Sequence, residues 1–345
     1  MKRLKYFKVL NPGLFTTVQD MGRFGYESQG VPTSGAMDEF ALRIANILVE
    51  NDENAPCLEI TLMGPTFKVL NDAMIAVTGA EIQPLVNGFP RSCWSSFPVQ
   101  KGDIVSFRPI KSGCRAYLAV AGGFKGDFIM NSVSTYTRGK LGGINGRQIE
   151  KDDVLKGGVS KPGLQAKKVR DEYIPSYSNE EEIRVILGPQ DDYFSEEAVK
   201  IFLTSTYVIT KDSDRMGYRL EGPEIKAKEG HEIKAKEGHD IITDGILPGA
   251  IQIPGNGKPI VILKDAQTTG GYKKIATVIS FDLSKLAQLK PGDKIRFRTV
   301  DLTEAHKILA EAENKIKKIK ETLKVLKYYK VKVNERYYDV GVEPL

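Results

Sequence analysis

Histidine is scarce: His231, His239 and His306 are the only three in 345 residues. None sits in a motif, which argues against a Ser/His/Asp or Cys/His nucleophile. The three cysteines, Cys57, Cys93 and Cys114, form no C-x-x-C pair. That pattern fits a reduced protein rather than a disulfide scaffold or a zinc ribbon, and no metal site is expected. No apolar run approaches the ~18 residues of a membrane span. The opening MKRLKYFKVLNPG has no apolar stretch of the secretory kind, so a cytoplasmic protein is expected. A net charge of +6 is spread along the chain and does not call for nucleic acid. No G-x-x-x-x-G-K-[ST] loop occurs: Gly255-Asn-Gly-Lys258 runs into Pro259, which has no hydroxyl for magnesium. No lysine lies between two methionines, so no biotin attachment site is visible.

What is present is mostly strand. Runs of alternating or β-branched residues occur at Phe67–Leu70, Met74–Thr78, Ile104–Arg108, Ala116–Ala121, Ile183–Leu187, Tyr207–Thr210, Ile260–Leu263, Ala276–Ser280 and Lys294–Thr299. Turn residues recur about every ten positions, as in β-barrels and sandwiches. Helices are expected at Glu39–Val49, Asp191–Phe202 and Thr303–Leu326, the last capped by Thr303. Lys315 to Lys330 is the densest basic stretch and reads as a solvated helix face. The tail, Tyr329–Glu343, alternates around Asn334-Glu335 and reads as a hairpin.

Residues 157–182 are poor in apolar side chains and read as a linker. Weak echoes flank it in the same order: Gly22-Arg-Phe-Gly-Tyr26 with Arg215-Met-Gly-Tyr218, Gly30-Val-Pro-Thr-Ser-Gly-Ala36 with Gly245-Ile-Leu-Pro-Gly-Ala250, and Gly102-Asp-Ile-Val-Ser-Phe107 with Gly292-Asp-Lys-Ile-Arg-Phe297. Two related β-domains follow, at 1–156 and 183–300, with a helix and hairpin tail at 301–345. A tandem octapeptide, IKAKEGHE then IKAKEGHD at 225–240, reads as a duplication in a surface loop.

Four Gly-rich polar segments could carry chemistry. Thr16 to Tyr26 holds Gln19, Asp20 and Arg23 beside glycines; Arg23 either clamps a carboxylate or pairs with Asp20 to fix a turn. Arg138 to Arg147, with Gly142 and Gly143, could form an anion-binding nest or an exposed basic loop. Gly249 to Gly255 and Asp265 to Tyr272 place Gln252 and Gln267 near strand ends, where a carboxamide can match an amide or ureido group or simply bond the strand ends. Asp38 and Glu59 are carboxylates near the first helix, and Asp38 also suits a helix start on dipole grounds alone.

Taken in order, these segments resemble the family that includes KipA, the C component of 5-oxoprolinase (PxpC) and allophanate hydrolase subunit 2, whose module also forms half of the urea carboxylase carboxyltransferase region. The resemblance is carried by Pro12-Gly13, Thr17-Val-Gln-Asp-Met-Gly-Arg23, Gly30-Val-Pro32, Ser34-Gly-Ala-Met-Asp38, Ala45-Asn46, Leu58-Glu-Ile60, Gly64-Pro65 and Gly142-Gly143. It continues through Gly188-Pro-Gln190, Asp214-Arg-Met-Gly-Tyr-Arg-Leu220, Gly249-Ala-Ile-Gln252, Gln267-Thr-Thr-Gly-Gly-Tyr272 and Leu289-Lys-Pro-Gly-Asp293. It covers about residues 9–300. The doubled octapeptide departs from the pattern, as does Lys273-Lys274 where Pro-Lys is frequent.

The resemblance implies a mainly β fold of two tandem cyclophilin-like barrels. It implies a non-autonomous subunit of an ATP-dependent 5-oxoprolinase, paired with a KipI/PxpB-like subunit and, in the oxoprolinase case, a PxpA-like one, with the ATP site not located in this chain. Two alternatives share the motifs: a carboxyltransferase acting on urea or a related amide, with biotin on a separate carrier, and a KipA-like regulator that antagonises a KipI-like kinase inhibitor. Under the leading reading Asp20, Arg23, Asp38 and Arg215 are the candidate catalytic residues. Gln19, Ser34, Gly142, Gly143, Arg147, Arg219, Gln252, Gln267, Thr269, Gly270 and Tyr272 are the candidates for binding a small-molecule substrate.

Overall fold

A computed structural model describes residues 4–228, 240–334 and 336–342. Most of the tandem octapeptide, with His231 and His239, therefore lies outside the described residues. Among the described residues the fold is mainly β with four α-helices: α1 (Glu39–Leu48), α2 (Glu196–Thr204), α3 (Ser280–Ala287) and α4 (Leu302–Thr322). No helix is long and apolar enough to cross a membrane among the described residues.

The chain forms two compact units that are not consecutive in sequence. One comprises residues 1–22, 38–176 and 313–345; the other comprises 23–37 and 177–312. The split at residue 22 cuts through the first Gly-rich segment, which sequence alone does not signal.

The first unit holds a seven-stranded and an eight-stranded sheet around one core. Strand alternation explains the packing. Leu58 and Ile60 point into the core with Phe7, Phe67, Val77 and Leu118, while Glu59 between them points to the opposite face. That opposite face is covered by α1, where the Thr78 hydroxyl donates to the Ala41 carbonyl at 2.7 Å.

The second unit contains a closed ring of seven strands. Glu180–Leu187 pairs in parallel with Lys294–Thr299, then Tyr207–Ile209, Gly217–Glu221, Ile260–Ile262, Ala250–Ile253 and Thr269–Val278 follow, and the last returns to Glu180–Leu187. Closure leaves no open sheet edge in the ring. Ile183, Val185, Ile251, Ile253 and Phe297 fill its interior, with the Phe202 and Phe297 rings stacked at 4.5 Å. Arg184 donates to buried Asp282 of α3 at 2.6 and 2.9 Å, tying that helix to the wall.

All nine expected strand runs are strands, with ends shifted by a few residues at most sites and further at Ala276–Ser280, where the strand runs Thr269–Val278. Three expectations change. Asp191–Phe202 is a 3-10 turn (Asp191–Tyr193) followed by α2, because the Ser195 side chain accepts the Ala198 amide and sets the start. The long helix is capped by Asp301, which accepts the Glu304 amide at 2.7 Å, rather than by Thr303. It also stops at Thr322, because Lys324–Val333 is recruited as a strand by Ala166–Lys168 and then pairs with Arg336–Val342. The 157–182 stretch is accordingly not a bare linker: it supplies that strand.

From Glu313 onward α4 packs in the first unit. Arg43 grips Glu313 through two bonds of 2.6 and 2.8 Å, Lys315 sits 5.4 Å from the Phe40 ring, and Ile316 and Ile319 are buried. Lys317, Lys318 and Lys320 face solvent. Replacing Ile319 by alanine is expected to cost about 2–4 kcal/mol, read as a lower midpoint in urea denaturation; an unchanged midpoint would show that the tail is not part of the core.

Candidate functional site

The candidate residues divide between the units. In the first, Asp20 ends the strand Phe15–Gln19 and is buried. Its carboxylate accepts from the hydroxyls of Ser132 (2.7 Å) and Ser134, and from the amides of Val133 (2.7 Å) and Gly22 (2.9 Å). A carboxylate so fully engaged holds backbone in place rather than moving protons. Gln19 donates to Thr17 at 3.0 Å and to the Thr135 carbonyl at 3.1 Å. Gly143 has φ +58°, and a side chain there would collide with the Thr135 hydroxyl.

In the 138–147 segment most amides are already engaged. The amides of Leu141, Gly143, Asn145, Gly146 and Arg147 all donate within the protein. Arg147 grips Asp153 at 2.8 and 2.9 Å, and that hydrogen bond holds the Asp153 carboxyl below its ordinary range. Arg147 and the neighbouring Gly142 and Gly143 thus form a self-satisfied loop.

Asp38 caps α1, accepting the Ala41 amide at 3.0 Å. Its own amide donates to the Tyr117 hydroxyl at 2.7 Å, and that hydroxyl donates to Glu59 at 2.7 Å. Burial, then the nearby Glu59 and Asp38 charges, push the Tyr117 phenol well above its ordinary range, so it remains a donor. Arg115 lies 3.9 Å from the other Glu59 oxygen. Asp38 therefore acts as a cap within a buried polar row.

In the second unit Arg215 is buried and forms a bidentate pair with Asp265, at 2.8 and 3.1 Å. It also donates to the Gly35 carbonyl at 2.7 Å. This candidate catalytic guanidinium is thus engaged by the protein itself. Arg23 is fully buried, and its amide donates to the Thr33 carbonyl at 2.6 Å. Ser34, at φ 51°, donates its amide to the Lys264 carbonyl at 2.9 Å. These contacts lay residues 33–35 against 264–265. Beside them a narrow crevice is lined by Glu27, Thr33, Ile262, Lys264, Gln267 and Thr268, among others.

Gln252 lies buried on the outer wall of the ring and donates to the Tyr272 carbonyl at 3.4 Å. A Cβ on Gly270 would crowd the tip of the Ile246 side chain and lie 3.0 Å from the Gln252 amide nitrogen. Gln267, Thr269, Tyr272 and Arg219 are exposed. Sequence reasoning left out a neighbouring network. Lys274 binds Asp244 and the Gly245 carbonyl (2.9 Å), while Gln190 donates to Asp244 at 3.2 Å and accepts the Lys274 amide at 2.9 Å. The Lys274 bond holds Asp244 below the usual carboxylate range. Lys273 is buried, 5.5 Å from the Tyr193 ring. The Gly188-Pro-Gln190 motif pointed to this network; the lone Asp244 gave no signal. Asp265, Ser132, Ser134 and Tyr117 were also left out. Among the described residues no cluster of His, Cys, Asp or Glu is arranged to hold a metal.

Replacing Tyr117 by phenylalanine removes the donor to buried Glu59 and the acceptor for the Asp38 amide. A loss of about 2–4 kcal/mol is expected, measured by chemical denaturation at pH 7; a loss under ~0.5 kcal/mol would mean this row is not a stabilising contact.

Comparison with known proteins accords with this architecture. Residues 29–299 match the family described as carboxyltransferase domain, subdomain A and B. The chain is 38% identical to the 5-oxoprolinase C subunit of Escherichia coli, over 87% of this chain and 93% of that protein. It is 35% identical to the 5-oxoprolinase C subunit of Haemophilus influenzae, over 86% and 92%. Among solved structures, the Kluyveromyces lactis urea carboxylase superposes with a TM-score of 0.85 at 32% identity, covering 92% of this chain but 29% of that one. The chain belongs to the carboxyltransferase domain family, subdomain A and B, with 5-oxoprolinase C subunits among its relatives.

Proposed function

We propose that this chain is the C subunit of an ATP-dependent 5-oxoprolinase, which with its partner subunits opens 5-oxoproline to glutamate in the cytoplasm. The observation that carries the reading is the match, nearly end to end, to 5-oxoprolinase C subunits of two bacteria. The partners are a KipI/PxpB-like subunit and a PxpA-like one. ATP is supplied through a partner or a subunit interface, in keeping with the missing phosphate-binding loop.

Ring opening needs the lactam carbonyl activated, water delivered, and the developing negative charge met by fixed donors. Arg219, Gln267, Thr269 and Tyr272, which are exposed, are assigned to substrate contact. Gln252 and Gly270 shape the wall behind them, Ser34, Arg23 and Arg215 hold backbone in the same unit, and Gln19, Asp20 and Asp38 hold backbone in the first unit. A second reading, carboxyl transfer from biotin on a separate carrier to urea, is supported by the likeness to urea carboxylase.

Reconstitution with the partner subunits separates the two. Glutamate release from 5-oxoproline that requires ATP and is insensitive to avidin is the expected result. Bicarbonate-dependent, avidin-blocked carboxylation of urea would replace the first reading with the second.

A further inference from the structure

We propose that the crevice beside Thr33 receives the amide group (–CO–NH–) of the substrate, with the Thr33 hydroxyl as a hydrogen-bonding partner. This rests on the reading that the protein acts on a small amide, and goes beyond it in naming the subsite and a specificity residue.

Thr33 is 7% exposed, and its hydroxyl is out of reach of water with no hydrogen-bond partner among the described residues. A buried hydroxyl left so is costly, and persists where a ligand completes it. Its neighbours, not its side chain, fix its position. The Thr33 carbonyl accepts the Arg23 amide, Ser34 bonds Lys264 from the left-handed region at φ 51°, and the Gly35 carbonyl takes Arg215. A non-glycine residue in that region needs such surrounding restraint.

The other walls suit an amide. Gln267 brings a carboxamide with both a donor and an acceptor, which can match the N–H and C=O of a lactam or of urea. Ile262 and Leu263 make the inner wall apolar. The outer wall includes Glu27, in a short 3-10 turn between Gly25 and Gly30. Both glycines have positive φ, and a Cβ at either would meet nothing within 4 Å.

The test uses the full-length chain with Thr33→Val and Thr33→Ser, titrated calorimetrically with 5-oxoproline and with urea, alongside thermal unfolding without ligand. Thr33→Val is expected to weaken ligand binding about tenfold while leaving the melting temperature unchanged or raised, since it removes an uncompensated hydroxyl. Thr33→Ser should bind within about twofold of the parent. Equal binding by Thr33→Val overturns the inference. So does a melting temperature lowered by several degrees, which would mean that the hydroxyl already has a partner in the protein. Failure of the parent chain to bind either ligand overturns it as well. Thr33-dependent binding of urea but not of 5-oxoproline supports the subsite and removes the lactam reading instead.

Discussion

The buried pair between Arg215 and Asp265 is the contact on which the candidate site depends. Two fork-like bonds join the residues across 50 positions of sequence, and a third ties Arg215 to the Gly35 carbonyl. Removing one member of such a pair leaves a buried charge uncompensated, at a cost of about 3–5 kcal/mol. Here the pair also sets geometry. It holds the 33–35 segment on one side and the start of the 265–272 turn on the other, and the crevice lies along these two segments.

The first unit repeats the device with different chemistry. Asp20 gathers two hydroxyls and two amides, and Asp38, Tyr117 and Glu59 form a buried chain of hydrogen bonds. In both units, side chains that look reactive in the sequence hold backbone in unusual places. Gln267, Thr269 and Tyr272, whose amide and hydroxyls are exposed, are the groups we propose to meet a ligand.

The strands were legible because alternation survives burial: Leu58 and Ile60 face in, Glu59 faces out. The tail was half legible. Helical spacing was right through Ile319, but the apolar pattern of 324–333 suits a strand equally, and only the partner at Ala166–Lys168 decides. Arg147 reads as an anion binder and Arg215 as a catalytic group because a sequence shows a guanidinium but not its neighbour; Asp153 and Asp265 bind them in the fold. Thr33 gave no signal, since a single threonine in a loop forms no pattern. Its hydroxyl, one of several buried hydroxyls with no hydrogen-bond partner among the described residues, shows itself only in three dimensions.

The most direct measurement is a crystal structure of the protein with its partner subunits and 5-oxoproline. Electron density for the lactam amide in the crevice, within hydrogen-bond reach of the Thr33 hydroxyl and the Gln267 carboxamide, is the expected result. A lactam bound elsewhere, with the Thr33 hydroxyl satisfied by protein alone, would contradict it.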